Sequence, residues 1–341
     1  MLNLLSALCA INAPSGKEAP VREYIISQLP DDVCYRVDAL GNLLVHVKGK
    51  KPSKRRVMLD AHMDEVGLII TGITPEGLLR FSTIGGIDPT VLLARRVLIE
   101  NSIEGVIGAT PIHLLPEEKR LEAPETDKLY IDIGIKNRSD ANKFISPGDT
   151  AVLEGGFERL GEHGILSKAL DDRVGCAVLL KLLQTERDYD YYVSFSVQEE
   201  VGLRGAKTAA FAIDPDCCLI LEGTTAADLS GVAEENRVCA LSHGAAVSFM
   251  DGATLYDKEM YHETLKLARE NGIAVQPKTR PSGGNNAGSV HVSCGGVKTC
   301  AVSLPCRYIH SASSVCDTRD IESMYRLAAT WLRHYCSKEL S

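Results

Sequence analysis

The pattern of the chain changes near residue 66, and this change constrains the fold more than any other feature. Before it, the pattern indicates two helices and then strands. From about Val66 to about Gly164 there are only short β-like runs, separated by Gly, Pro and Asp turns. Such runs are typical of a small all-β barrel. After Ser167 helical and strand patterns alternate again, which is typical of an α/β fold. The sequence therefore predicts an α/β unit that carries an inserted β-rich unit.

The elements predicted for the α/β unit follow from apolar spacing. Helical spacing predicts helices near residues 21–29, 173–183, 204–211, 256–271 and 321–335. Continuous apolar runs predict strands near 33–37, 43–47, 56–60, 191–197, 217–221, 245–249 and 299–303.

Composition excludes several classes of protein. The formal charge of −8 over 341 residues argues against a nucleic-acid or anionic-membrane surface. We find no basic leader, and no apolar run reaches the roughly 18 residues that a spanning helix needs. The 11 cysteines show no Cys-x-x-Cys spacing, which indicates reduced thiols and predicts a cytoplasmic protein.

Two adjacent carboxylates, Glu199 and Glu200, follow the predicted strand 191–197. Alone, such a pair would usually be a solvated strand end. On a strand, however, neighbouring side chains point to opposite faces. We therefore expect the two acids to have different tasks, one as a metal ligand and one as a proton carrier.

His62 and Asp64 follow the apolar strand Val57-Met58-Leu59. An aspartate that accepts a proton from one ring nitrogen would leave the other nitrogen free for a metal ion. This His-x-Asp spacing is a weak signal by itself, because it arises often by chance.

Asp171 and Asp172 precede a helical pattern, where aspartates commonly cap the helix. A carboxylate at such a turn could also bridge two divalent ions with its two oxygens. One aspartate of the pair could therefore be structural and the other a bridge.

Glu222 and His310 complete the set of polar residues at strand ends. Glu222 closes the apolar run 217–221, and His310 follows the predicted strand 299–303. Because ligands collect at the carboxyl ends of strands in open α/β sheets, we expect all these side chains to converge there.

Together these motifs resemble the tetrahedral aminopeptidases, a family of cocatalytic metallopeptidases that includes glutamyl and leucyl aminopeptidases and members once labelled endoglucanases. The resemblance runs nearly from end to end, through the segments 13–16, 38–42, 60–67, 171–173, 198–206 and 307–311. It implies a three-layer α/β/α zinc-peptidase sandwich with an inserted small β-barrel. It also implies a catalytic domain of residues 1–65 and 165–341, and a dimerisation or assembly domain of residues 66–164.

The resemblance also implies a role for each site residue. Five residues would hold two divalent ions, Zn²⁺ or Co²⁺: His62 and Glu222 one ion, Glu200 and His310 the other, with Asp171 bridging both. The ions would activate a water, Glu199 would act as general base, and Asp64 would orient His62. The substrates would be short peptides that lose N-terminal residues, and the assembly would be a dimer-built dodecamer.

Two other function classes stay open. A carboxylate-pair glycosidase is less favoured, because the two histidines have no role in its mechanism. A metal-binding scaffold or chaperone-like assembly without turnover is also possible. It would accord with two departures from the family pattern: Glu222, where Asp is more frequent, and Asn285-Asn286, where many relatives show Thr-Asp. The intact Glu199 argues against it.

Overall fold

A computed structural model describes residues 1–339 of the chain. Its strands, numbered in chain order, are β1 (Cys34–Val37), β2 (Leu43–Val47), β3 (Val57–His62), β4 (Gly67–Ile73), β5 (Leu79–Ile84), β6 (Arg96–Ile99), β7 (Ile103–Gly108), β8 (Tyr130–Asp132), β9 (Thr150–Leu153), β10 (Glu158–Leu160), β11 (Gly164–Ser167), β12 (Tyr191–Ser196), β13 (Cys217–Thr225), β14 (Ala245–Ser248), β15 (Val275–Lys278), β16 (Lys298–Cys306) and β17 (Ser314–Asp317). The α-helices are α1 (Leu2–Ala10), α2 (Ala19–Gln28), α3 (Arg138–Ala141), α4 (Leu170–Thr185), α5 (Arg204–Ile213), α6 (Lys258–Glu270), α7 (Ala287–Val290) and α8 (Thr318–Ser337).

An eight-stranded mixed sheet forms the middle layer, in the order β1-β2-β12-β3-β13-β16-β14-β15. Strands β12, β3, β13 and β16 are parallel neighbours, whereas β14 pairs antiparallel with β16. The carboxyl ends of the four parallel strands therefore meet at one edge of the sheet.

Helices cover both faces of this sheet. Because side chains alternate along a strand, Val57 and Leu59 of β3 belong to the core beneath α1, α2, α4, α6 and α8, while Met58 belongs to the core beneath α5 and α7. Helix α8 shows the helical apolar spacing clearly, with buried Ile321, Met324, Leu327, Ala328, Trp331, Leu332 and Tyr335. The result is a three-layer α/β/α sandwich.

The β-rich segment closes into a six-stranded barrel in the order β4-β5-β8-β7-β6-β9. It has its own apolar core, which includes Leu68, Leu79, Val97, Ile99 and Ile131. The sandwich and the barrel together confirm the predicted fold class.

The hairpin β10–β11 pairs with β17 rather than with the barrel. The last barrel strand ends at Leu153, so the predicted boundary at residue 164 falls within this separate three-stranded sheet. The division of the chain into a catalytic and an assembly domain stays a prediction. Among residues 1–339, no helix is long and apolar enough to cross a membrane.

Candidate metal centre

The topology of the sheet brings the predicted site residues together at one edge. His62 is the last residue of β3, Glu222 lies near the end of β13, and His310 follows β16. The register pairs Ile220 with Asp60, which places Glu222 beside His62 on the neighbouring strand. Residues more than 240 positions apart in sequence thus meet because three parallel strands end at the same level.

Asp171 lies between the two histidines and directs one carboxylate oxygen toward each. Its Oδ1 lies 3.4 Å from Nε2 of His62, and its Oδ2 lies 3.3 Å from Nε2 of His310. A carboxylate oriented in this way can bridge two divalent ions.

A further carboxylate accompanies each histidine. Oε1 of Glu222 lies 3.2 Å from Nε2 of His62, and Oε2 of Glu200 lies 3.4 Å from Nε2 of His310. The cluster therefore divides into two half-sites that share Asp171, with one imidazole and one further acid on each side.

The donor atoms of this cluster fit divalent metal ions. Nε2 of His62, Oε1 of Glu200 and Oε2 of Glu222 are buried and have no hydrogen-bond partner within the described chain. Buried polar atoms are normally satisfied, so orphaned atoms call for a ligand. Imidazole nitrogen and carboxylate oxygen are ligands that Zn²⁺ and similar ions accept.

Asp172 also lies within metal-ligating reach of His62 and Glu222. However, its Oδ2 accepts a hydrogen bond from the backbone N–H of His62 at 3.2 Å, and its Oδ1 accepts one from Gly175 N–H at 2.9 Å. These bonds tie the start of α4 to the end of β3. Asp172 therefore has the structural position that helix capping predicts, and Asp171 is the aspartate that faces both histidines.

Charge at the centre shifts the pKa values of its groups. Burial, together with nearby Asp171, raises the pKa of Glu200 to about 8 and that of Glu199 to about 7. Burial opposes protonation of His310, but Asp171 and Glu200 prevail and raise its pKa to about 9. A cluster of buried acids such as this one favours the binding of cations.

Glu199 and Glu200 do not lie on a strand, so the expectation that strand alternation separates them is wrong. Strand β12 ends at Ser196, and Gln198 then takes a left-handed conformation with φ of 55°. Both acids belong to the turn that follows, and both line the same cavity. What distinguishes them is contact: Glu200 lies against His310, whereas Glu199 pairs with no histidine, lysine or arginine among residues 1–339.

Asp64 supports this turn as well as His62. Its Oδ1 accepts the backbone N–H of Glu199 at 3.1 Å, and its Oδ2 accepts that of Glu200 at 3.2 Å. Nδ1 of His62 lies 3.1 Å from the main-chain oxygen of Asp64 and 3.4 Å from Oδ1. Asp64 thus connects the first histidine with the acid pair.

The profile of the M42 glutamyl aminopeptidase family matches residues 41–327. The chain belongs to this family.

Full-length relatives agree with the M42 assignment. A putative aminopeptidase from Acetivibrio thermocellus is 36% identical over 96% of this chain and 97% of its own. A lysyl aminopeptidase from Pyrococcus furiosus is 32% identical over 90% of this chain and 88% of its own. A glutamyl aminopeptidase from Lactococcus lactis is 31% identical over 98% of this chain and 95% of its own.

Solved structures share the M42 fold. The aminopeptidase APDkam598 from Desulfurococcus kamchatkensis superposes with a TM-score of 0.92 at 35% identity, covering 97% of this chain and 94% of its own. The TET1 peptidase of Pyrococcus horikoshii, which can assemble into a tetrahedron or a large octahedral shell, gives a TM-score of 0.84 at 34% identity, covering 96% and 98%.

The two positions expected to depart from the family pattern have different environments. Glu222 reaches His62 despite its extra methylene. Asn286 is turned away from the cavity: its amide donates to Asp60 Oδ2 at 2.8 Å and to Ser196 Oγ at 2.9 Å, beneath the centre. Asn286 is only 1% exposed, and these two hydrogen bonds connect it to β3 and β12.

A buried ion cluster beside the M42 centre escaped sequence reasoning. Glu65 accepts hydrogen bonds from Lys168 Nζ at 2.7 Å to both of its oxygens and from Arg173 at 3.3 Å. It also accepts the backbone N–H of Ala13 at 3.0 Å. The cluster ties the chain just before the barrel to the start of α4. The motifs around residues 64 and 171 contain these residues and were the available signal. However, no local pattern could pair Glu65 with Lys168, which lies 103 positions away.

Proposed function

We propose that this chain is a metal-dependent aminopeptidase that removes N-terminal residues from short peptides. The observation that carries the proposal is the position of Asp171, whose two oxygens face two histidines that each have a further carboxylate beside them. Membership of the M42 family and the aminopeptidase names of its relatives support the same activity.

His62, Asp171, Glu200, Glu222 and His310 would hold two divalent ions, Zn²⁺ or Co²⁺. When bound, the ions would polarise the scissile carbonyl and acidify a water molecule. The chain itself contributes the orientation: Asp64 fixes both the ring of His62 and the turn that carries the two glutamates.

Glu199 would act as the general base. Its side chain lines the cavity and is not engaged in an ion pair within the described residues. It would take a proton from the attacking water as the new C–O bond forms, and pass it to the leaving amine as the C–N bond breaks.

The decisive experiment combines a panel of aminoacyl p-nitroanilides with metal analysis of apo, Zn²⁺ and Co²⁺ protein. We expect hydrolysis only with metal bound. Glu199→Gln should keep both ions and lose about 100-fold or more in kcat. Glu200→Gln is the matched control, since it should lose metal as well as activity.

Two results would overturn these assignments. Full activity of Glu199→Gln with measured metal would exclude Glu199 as the base. Absence of hydrolysis across the panel, with both ions bound to the wild-type chain, would favour the scaffold function. A glycosidase would survive complete metal removal, whereas the proposed peptidase would not.

We also propose that the chain assembles into a dimer-built dodecamer through the barrel. The barrel segment exposes large apolar side chains, with Ile112 62%, Leu114 65% and Leu121 98% exposed. Exposed apolar side chains in one segment favour association. Size-exclusion chromatography with light scattering should give the mass of a dodecamer. A monomer mass at micromolar concentration would exclude the assembly.

A further inference from the structure

The cavity that holds the acid cluster extends to a second wall that the proposed chemistry does not use. Its volume is about 570 Å³, which is within the usual range for small-molecule sites. Besides the metal-centre residues it is lined by Lys278, Ser282, Gly283 and Gly284.

Among the described residues, Lys278 is the only lysine or arginine that lines this cavity. It is the last residue of β15 and is only 6% exposed. Its ammonium donates one hydrogen bond, to the carbonyl of Ser282 at 2.9 Å. Among residues 1–339, no carboxylate lies within the 4.0 Å of an ion pair with it.

Two acids of neighbouring segments, Asp251 and Asp228, are engaged elsewhere. Asp251 accepts the backbone N–H groups of Ala253 and Thr254 and the hydroxyl of Tyr256, at 2.6 to 2.8 Å. Asp228 forms a two-pronged ion pair with Arg307, with both distances 2.7 Å. Neither acid is therefore available to neutralise Lys278.

A buried ammonium with a single hydrogen bond and no carboxylate in contact has unused donors. A carboxylate placed in the same cavity would supply both an acceptor and a counter-charge. The loop at this wall is held in place, since Gly252 N–H donates to the carbonyl of Gly283 at 2.7 Å. The cation is thus presented on a fixed surface of the cavity.

We propose that Lys278 is a specificity-determining residue that selects substrates with an acidic N-terminal side chain, Glu or Asp. This inference rests on the proposed aminopeptidase function and deepens it. The names of the relatives do not decide the matter, because they include both a lysyl and a glutamyl aminopeptidase. The unpaired ammonium of Lys278 in the cavity of this chain is what favours an acidic N-terminal residue.

The test compares the metal-loaded wild type with three variants, Lys278→Gln, Lys278→Arg and Lys278→Glu, on p-nitroanilides of Glu, Asp, Leu and Lys. We expect the wild type to prefer Glu and Asp. Lys278→Gln should lose roughly 10- to 100-fold in kcat/KM for the acidic substrates, and change little for Leu. Lys278→Arg should keep the preference, and Lys278→Glu should shift it toward Lys.

Lys266→Gln is the matched control, because that lysine is exposed on α6 and should leave all rates unchanged. Metal content is measured for each variant, since a lysine that only balances the charge of the centre would alter metal binding. An equal loss on every substrate, or a wild type that cleaves Leu and Lys but not Glu or Asp, would overturn the inference.

A binding assay separates this inference from the proposed function. Free L-glutamate should raise the melting temperature of the metal-loaded wild type more than L-leucine does, and Lys278→Gln should abolish the difference. A chain that cleaves nothing but binds glutamate through Lys278 would refute the peptidase and leave Lys278 only as the residue that binds an acidic amino acid. Equal effects of the two amino acids on the wild type would refute the inference.

Discussion

The side-chain amide of Asn286 donates to the carboxylate of Asp60 at 2.8 Å, in a buried pair beneath the strand that ends at His62. Burial raises the pKa of Asp60 to about 6, although hydrogen bonds from Ser194, Asn286 and Ser196 oppose the rise. An amide suits this position because it offers a donor without adding a second negative charge.

Asn286→Asp should therefore destabilise the protein in a pH-dependent way. Two buried carboxylates in contact retain a proton that the unfolded chain releases above about pH 4, so stability falls as pH rises. We expect a loss of about 2 kcal/mol at pH 8 and a smaller loss at pH 5, measured by urea unfolding. Asn142→Asp, at an exposed position, should change stability little at either pH. Equal losses at both pH values would contradict this account.

Glu65→Gln should be strongly destabilising. Glu65, Lys168 and Arg173 are 4%, 4% and 0% exposed, so the substitution leaves two buried cations without their carboxylate. A loss of about 3–5 kcal/mol in the free energy of unfolding is expected. The exposed pair Lys50–Asp188 provides the control, since Asp188→Asn should cost less than about 1 kcal/mol. A similarly small loss for Glu65→Gln would show that Lys168 and Arg173 find other partners.

Glu263 joins α6 to α8 and should contribute stability at neutral pH that is lost in acid. Burial would raise its pKa, but hydrogen bonds from Lys338, Tyr335 and His334 prevail and lower it to about 2. A folded pKa below the unfolded value gives stability that is complete above about pH 4.5 and lost as pH falls toward 2.

Glu263→Gln should therefore cost about 1–3 kcal/mol at pH 7, and its difference from the wild type should narrow below about pH 4. Urea unfolding at pH 7, 4 and 3 measures the trend. Glu270→Gln on the same helix removes only an exposed pair with Lys266 and should have little effect. A difference that widens toward low pH would refute the assigned sign.

Metal removal should lower the melting temperature, because buried atoms of the centre lose their partners.

Loss of one histidine should empty only the half-site to which that histidine belongs. His62→Ala and His310→Ala should each reduce bound metal from about two ions to about one per chain, as measured by elemental analysis, because Asp171 serves both sides. Retention of both ions in either variant would remove that histidine from the ligand set.

The helices and central strands could be predicted from local apolar spacing, because a buried face imposes its period on the sequence. Helix α8 and strand β13 show this directly. Several short elements escaped prediction, among them α3 inside the β-rich segment, and β15, α7 and β17. Strand β15 lies at the sheet edge and contains Pro277, while α7 has only four residues, so neither carries a periodic signal.

The sequence by itself determined which acids and histidines are candidate metal ligands, since those that follow apolar runs are visible locally. Only the tertiary structure decided how they combine. Asp171 faces both histidines because β3 and β16 flank β13 in the sheet, and Glu199 and Glu200 share a cavity because Gln198 turns the chain after β12. Lys278 enters that cavity from a strand whose order in the sheet no local pattern specifies. Such pairings depend on contacts between distant segments, and periodicity describes only neighbours.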